Sequence, residues 1–342
     1  MRIGRVGAVL AAAAVAGASL TACGGSPSAA GQLTLYSGQH VQTTEALVTA
    51  FEQKTGIAVQ VRSGDEDVLA DQIVTEGSNS PADVLFTENS PPLQHLQGKG
   101  LLSPVDRSTL ARTPAKFDSP RGDWVGVSAR VSVLVYNTAL LKPSELPTSV
   151  MQLADPKWKG KLAIAPAETD FQPIVTSVAR TYGDAAALKW LEGLKANAGS
   201  SHIYPDNETV TDEVNKGKAA IGIIDQYYWY RQRAQVGAAG THSDIAYFAP
   251  HDAGYVLDVS GAGIMKSSDH KAEGQKFLAF LTSKAAQEII ARGDSFEYPI
   301  ASGVTTAQAE TPFDQLQPNA ISVADLGDGS EAVRLLTQVQ LI

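Results

Sequence analysis

The stretch from Gln32 to Phe86 constrains the fold most, because short β-forming apolar runs alternate there with amphipathic helical ones. Gln32 to Tyr36 (QLTLY) reads as a strand. Thr43 to Thr55 reads as a helix, with Ala46, Leu47, Ala50 and Phe51 on one face and Gly56 just past its end. Ile57 to Val61 (IAVQV) is a second strand, Asp67 to Gly77 a second helix, and Ala82 to Phe86 (ADVLF) a third strand. Parallel strands need long crossovers, usually helical, so this βαβαβ rhythm predicts an α/β fold with helices on both faces of a parallel sheet. Ligands in such sheets sit beyond the carboxyl ends of the strands. His40 follows the first strand and Glu88 the third, so both fall on that edge.

Further along, Trp124 to Tyr136 (WVGVSARVSVLVY) is rich in β-branched residues and fits a strand that crosses out of the first sheet. Lys161 to Ile164 reads as a strand ending at Pro166. Phe171 to Tyr182, Asp184 to Ala196 and Thr209 to Lys216 read as helices. Ala219 to Ile224 is a buried strand running into DQYYWYR. After Ile245 to Phe248, the stretch Tyr255 to Ser260 with GAGIMK fits a return crossing. Lys271 to Thr282 and Ser283 to Arg292 are late helices. No internal repeat is present, and the body has ample length for one large domain or two lobes.

The first residues speak to compartment. Arg2 and Arg5 precede an apolar run from Val6 to Ala18 and then Leu20-Thr21-Ala22-Cys23. That run is too short for a stable membrane span and reads as a secretory signal peptide. The LTAC ending resembles a bacterial lipoprotein box, which implies lipid on Cys23 and a place on the outer face of the cell membrane or in the periplasm. Cys23 is the only cysteine, so no disulfide forms within the chain. Gly24 to Gly31 (GGSPSAAG) reads as a flexible tether. Without Arg2 and Arg5 the chain has 25 basic against 36 acidic side chains, a net charge near −11. With no basic run, nucleic acid is excluded as a partner.

Three short pieces carry the chemistry: His40 in YSGQH, Glu88 in DVLFTENS, and Tyr227-Tyr228 in IIDQYYWYR. Two phenols, a carboxylate and an imidazole make an oxygen-rich donor set carrying three negative charges once the phenols ionise. Such a set suits a hard trivalent cation, Fe3+ above all, and tyrosinate ligation of ferric iron is known in haem enzymes. Free tyrosine ionises near pH 10, so the metal must displace the phenol proton. Neighbours on a strand point to opposite faces, so the two tyrosines are expected at a strand end or in a loop. Each residue also has a plainer reading. His40 suits a helix cap, Glu88 a carboxylate at a helix start, and the tyrosines an aromatic core. His95, His202, His242, His251 and His270 lack paired metal spacing. A cationic organic solute such as a polyamine is the alternative ligand, with Asp225, Glu168 and Asp170 as counter-charges and Trp229 or Tyr227 against its methylenes. An enzyme is not expected, since no GxSxG, HExxH or phosphate-binding glycine loop is present.

Taken in order, LYSGQH, ADVLFTE, LLSPV, VSARVSVLVYN, DPKWKGKLAI, DQYYWYR, VSGAGIMK and FEYPI resemble the ferric-ion-binding proteins of bacterial ABC importers, the bacterial transferrins, over about residues 33 to 300. The resemblance implies a type II periplasmic-binding fold, two α/β lobes joined by crossing strands around a cleft that closes on ligand. With the signal peptide at 1–22 and the tether at 23–31, this places one lobe at 32–129 with 259–312 and the other at 130–258 with 313–342. His40, Glu88, Tyr227 and Tyr228 fall on the family's metal-ligand positions. The implied cargo is Fe3+, free or chelated, delivered by a monomer to an ABC permease.

Relatives complete coordination with phosphate or carbonate held by hydroxyl, glycine and amide groups. The matching loop here is PAETDF, with Glu168, Thr169 and Asp170, and Asp225 stands where an amide is expected, while Asn207 keeps one. Two unit charges about 4 Å apart repel by roughly 4 kcal/mol at an effective dielectric near 20. A tightly held phosphate is therefore not expected. Water, or carbonate held by Arg130, remains, and Glu168 or Asp170 is open as a direct ligand.

Overall fold

The computed structural model describes residues 31–301, 303–306 and 311–342. The expected signal peptide, Cys23 and the tether as far as Ala30 lie outside the described residues. The chain opens with β1 (Gln32–Ser37), α1 (Val41–Thr55), β2 (Ala58–Ser63), α2 (Glu66–Glu76) and β3 (Val84–Thr87), the predicted βαβαβ unit. β1 pairs in parallel with both β2 and β3. Helix α1 stops at Gly56, whose left-handed backbone (φ 71°) lets its N–H reach the Glu52 carbonyl.

Next come α3 (Pro91–Gly98), β4 (Leu102–Ser103), α4 (Arg107–Leu110) and β5 (Trp124–Asn137). All of β5 is buried, as a strand covered on both faces must be. After it lie β6 (Leu162–Ala163), α5 (Phe171–Tyr182), α6 (Asp184–Ala198), α7 (Asn207–Asn215), β7 (Ile221–Asp225), α8 (Gln226–Gly240) and β8 (Ser243–Ala246). The chain ends with β9 (Leu257–Met265), α9 (Lys271–Leu281), α10 (Lys284–Arg292), β10 (Tyr298–Pro299) and α11 (Ser330–Gln338).

Strand order is β2-β1-β3-β9-β5-β7-β6. β5 changes partners halfway. Trp124 to Val131 lies antiparallel to β9, and Ser132 to Tyr136 antiparallel to β7. β8 and β10 also pair with β5, and β4 pairs with β9. β5 and β9 thus tie the parallel group β2-β1-β3 to the parallel pair β6-β7. One apolar cluster sets Leu33, Leu35, Leu47 and Phe51 against Phe277 and Leu281; the larger one holds Trp124, Trp158, Trp190 and both site tyrosines. Phe51 meets Phe277 edge-on at 5.0 Å between centroids, a geometry worth about 0.5–1.5 kcal/mol beyond the area it buries.

The expected helices and strands are present, with ends moved by a few residues. One placement differs in kind. Tyr227 and Tyr228 lie neither at a strand end nor in a loop but in the first turn of α8, which follows β7 without a break. Neighbours on a helix turn by only about a quarter of a circle (3.6 residues per turn), so both rings can face one side. No helix of the described residues is long and apolar enough to cross a membrane.

Candidate metal centre

Four segments converge, each just past the carboxyl end of a parallel strand: His40 after β1, Glu88 after β3, Glu168-Thr169-Asp170 after β6, and Tyr227-Tyr228 after β7. Each also stands at or close to a helix start, that of α1, α3, α5 or α8. Helix starts carry partial positive charge, so four of them favour anionic donors here. The turn before His40 requires Gly38. A Cβ there would lie 2.4 Å from Cβ and 2.8 Å from Cα of Glu66.

Tyr227 and Tyr228 both donate to Asp170 Oδ2, at 2.9 and 2.8 Å. Tyr228 also reaches Glu168 Oε2 at 3.2 Å. The two rings lie 4.1 Å apart, and the His40 ring meets Tyr227 edge-on at 5.0 Å. Asn89 Nδ2 holds the other Asp170 oxygen at 2.8 Å and Thr169 Oγ1 at 3.3 Å. The plainer reading of the tyrosines as core holds for burial, but their hydroxyls turn toward carboxylates rather than apolar neighbours.

Although His40 takes the N-cap position of α1, its side chain caps nothing. Its Nδ1 lies 2.6 Å from Glu88 Oε1 and 2.7 Å from Gln39 Oε1. The buried Gln39 amide is fixed at both ends. Its nitrogen donates to Ser260 Oγ at 3.0 Å and lies 3.3 and 3.4 Å from the Glu297 carboxylate, while its oxygen accepts the His40 N–H at 2.7 Å. An amide oxygen only accepts, so Nδ1 carries the proton and Nε2 keeps its lone pair. The His40–Glu88 contact has salt-bridge length, but burial lowers the imidazole pKa to about 4 and pushes Glu88 well up. We read it as a hydrogen bond from a neutral ring, because neither charge is solvated there. It must open for both groups to face one ion.

Burial raises both tyrosines well above the usual phenol range, and nearby Asp170 raises them further. The same two causes raise Asp225, and they lift Glu168 to about 9. Protons fill the pocket because so many acids cannot ionise together without a cation. Among the described residues no three His, Cys, Asp or Glu side chains gather closely enough to hold an ion, so a centre here depends on the phenol oxygens. Cavities of about 300 Å³ beside His40 and about 180 Å³ beside Tyr228 both border Arg231, which pairs with Glu208.

The sequence leaves Arg130 open as a carbonate contact. It is fully buried and ion-paired with Glu297, and its Nη1 lies 3.4 Å from Asn89 Oδ1. Burial alone would lower its pKa, but Glu297, Tyr227, Asp170 and Glu88 together raise it, so the guanidinium stays charged. Only Nε lacks a partner. Asp225 and Asn207 are buried at the starts of α8 and α7, and neither side chain makes a hydrogen bond into the phenol cluster. Sequence reasoning missed Glu66, Asn89 and Glu297. Glu66 accepts the N–H groups of Glu88 at 2.6 Å and Asn89 at 3.0 Å and so shapes the Glu88 loop. Nothing local marks Glu66, whereas Asn89 and Glu297 sit inside the quoted DVLFTENS and FEYPI pieces.

The model of the bacterial extracellular solute-binding proteins matches residues 46–314. The chain is 35% identical, over all of its length and 99% of the relative's, to the Fe(3+)-binding periplasmic protein of Serratia marcescens. It is 36% identical to a major ferric iron-binding protein of Neisseria meningitidis, over 90% of this chain and 92% of that one. Iron-bound HitA from Pseudomonas aeruginosa superposes with a TM-score of 0.85 at 40% identity, covering 90% of this chain and 99% of HitA. The Trichodesmium IdiA (FutA) structure, in complex with iron and citrate, gives a TM-score of 0.79 at 31% identity, covering 91% of this chain and 100% of that one. The chain belongs to the bacterial extracellular solute-binding proteins, with the type II periplasmic-binding fold, and is a transport protein rather than an enzyme.

Proposed function

We propose that this solute-binding protein captures Fe3+ outside the cytoplasm and delivers it to an ABC permease. His40, Glu88, Tyr227 and Tyr228 are the ligands, with His40 donating through Nε2. The observation that carries the reading is the paired phenols, held protonated by burial beside carboxylates and within ring contact of His40. A trivalent cation replaces those protons and neutralises the acids that crowd them. The relatives named above support ferric iron as cargo and give no support to a polyamine.

Two lobes, 32–129 with 259–312 and 130–258 with 313–342, close over the ion, with β5 and β9 as the crossing strands. His40 and Glu88 then come from one lobe and the tyrosines from the other. Four protein donors leave two positions of an octahedron, for water or carbonate in the simplest case. Lipid on Cys23 with the 23–31 tether holds a monomer at the outer face of the membrane.

The test is a visible spectrum of the purified protein with and without ferric citrate. A tyrosinate charge-transfer band is expected in the wild type. Tyr227→Phe and Tyr228→Phe each remove an anionic donor while keeping the ring, so the band should bleach and iron bind at least about tenfold more weakly, a loss of about 1.4 kcal/mol or more. Wild-type colour and affinity in both variants would refute the reading.

A further inference from the structure

Asp170 stands where a ligand would stand. Its Oδ2 is the single atom on which both phenols converge, at 2.9 and 2.8 Å. Its Oδ1 is engaged by Asn89 at 2.8 Å. The residue is only 4% exposed and sits at the start of α5 without capping that helix. Around a small hard cation with octahedral oxygen ligands at about 2.0–2.1 Å, adjacent oxygens lie about 2.8–3.0 Å apart. Each phenol oxygen already has that spacing from Asp170 Oδ2. An ion can therefore enter as two phenol protons leave to solvent, with Asp170 Oδ2 already at ligand spacing from both phenols.

We propose that Asp170 is a direct ligand of the ion and fills the position an added anion would otherwise take, so that this chain binds ferric iron without phosphate. The inference rests on the ferric-ion reading and adds a donor to it. Charge favours it. Fe3+ with two phenolates and the Glu88 carboxylate is neutral, and Asp170 brings the buried centre to one negative charge. A phosphate dianion on top of that would leave three, and Arg231, which borders the cavities, is paired with Glu208. Arg130 is already neutralised by Glu297, and its one unpartnered nitrogen is too little to hold a tetrahedral anion.

Iron is titrated from a chelator into the full chain, in phosphate-free and phosphate-rich buffer at matched ionic strength, with carbonate excluded. Affinity and phenolate band of the wild type should be the same in both, with no phosphate co-purifying. Asp170→Asn keeps the shape and the Asn89 contact but loses the anionic donor. Without phosphate it should bind more than about 100-fold more weakly, beyond the 10–100-fold typical of residues that only support a ligand. Phosphate should restore part of that loss. Tighter wild-type binding with phosphate, one phosphate bound per iron, or an Asp170→Asn chain that binds like the wild type would overturn the inference while the band stays intact. A wild type with no band in either buffer overturns the ferric-ion reading itself. If Asp170→Asn fails to fold, the wild-type comparison still decides whether phosphate is needed, and Asp170→Glu, which keeps an anionic donor but moves it by one methylene, decides the ligand: wild-type affinity and an unshifted band in that variant would overturn the inference.

Discussion

Iron binding should tighten steeply as pH rises, and the structure sets the slope. Both phenols are held protonated, their pKa values raised well above the usual range by burial and by Asp170. Each must lose its proton when the ion enters, so two protons leave per iron across the whole range below those pKa values. Glu88, also raised by burial, adds a third wherever it is still protonated. His40 adds none near neutrality, because burial lowers it to about 4 and its ring is already neutral. The apparent binding constant should then change 100- to 1000-fold per pH unit, or about 2.7–4.1 kcal/mol, at 1.36 kcal/mol per proton. From pH 8 to 6 the loss is about 10⁴-fold at least. The sequence alone suggests an added break near pH 6.5, the ordinary histidine value; the buried imidazole moves that break to about 4. The assay is competition against a chelator of known proton stoichiometry at several pH values, with released protons counted at constant pH. A slope of one proton or fewer per iron, or a break near pH 6.5, would show that the phenols are not the ligands or that His40 is solvated.

Two further outcomes follow from the supporting residues. Glu297→Gln leaves Arg130 charged and buried without its partner, so it should lower unfolding free energy by about 3–5 kcal/mol in denaturant titration, whereas replacing both residues with apolar ones should cost clearly less; equal losses would mean that the pair's charge is not what matters. Gln39→Leu removes the acceptor that holds Nδ1–H without competing for the ion and leaves only Glu88 Oε1 on that nitrogen, so when Glu88 turns to the ion the ring is unanchored and iron affinity should fall about 10–100-fold, with the Nδ1–H signal of the metal-free protein retained; unchanged affinity would remove Gln39 from that role.

Much of the fold was legible because its signals are local. QLTLY, IAVQV and ADVLF read as strands from residue type and length, and Gly56 marked the end of α1. The same rhythm put His40 and Glu88 at the carboxyl ends of β1 and β3 before any side chain was placed. Boundaries drifted where tertiary contacts override propensity. β6 keeps only Leu162–Ala163, and α8 begins directly from β7, so YYWYR, with its aromatic and β-like composition, becomes a helix.

The chemistry of the site was only half determined by the sequence. Residue types and order singled out a histidine, a glutamate and two tyrosines, and the acidic loop Glu168-Thr169-Asp170 argued against phosphate. Charge state and engagement are pairwise properties of groups far apart in the chain, and only the tertiary structure decides them. Arg130 reads as a cation available to an anion until Glu297, 167 positions away, is found against it. Glu66 goes unmarked in the sequence, and only the fold sets its carboxyl under the loop of Glu88. Asp170, open as a ligand from the sequence, meets Tyr227 because β6 and β7 lie side by side and bring together the loop after β6 and the first turn of α8, 57 residues apart. A sequence names which donors exist; burial and distance decide which keep their protons and which can meet the same ion.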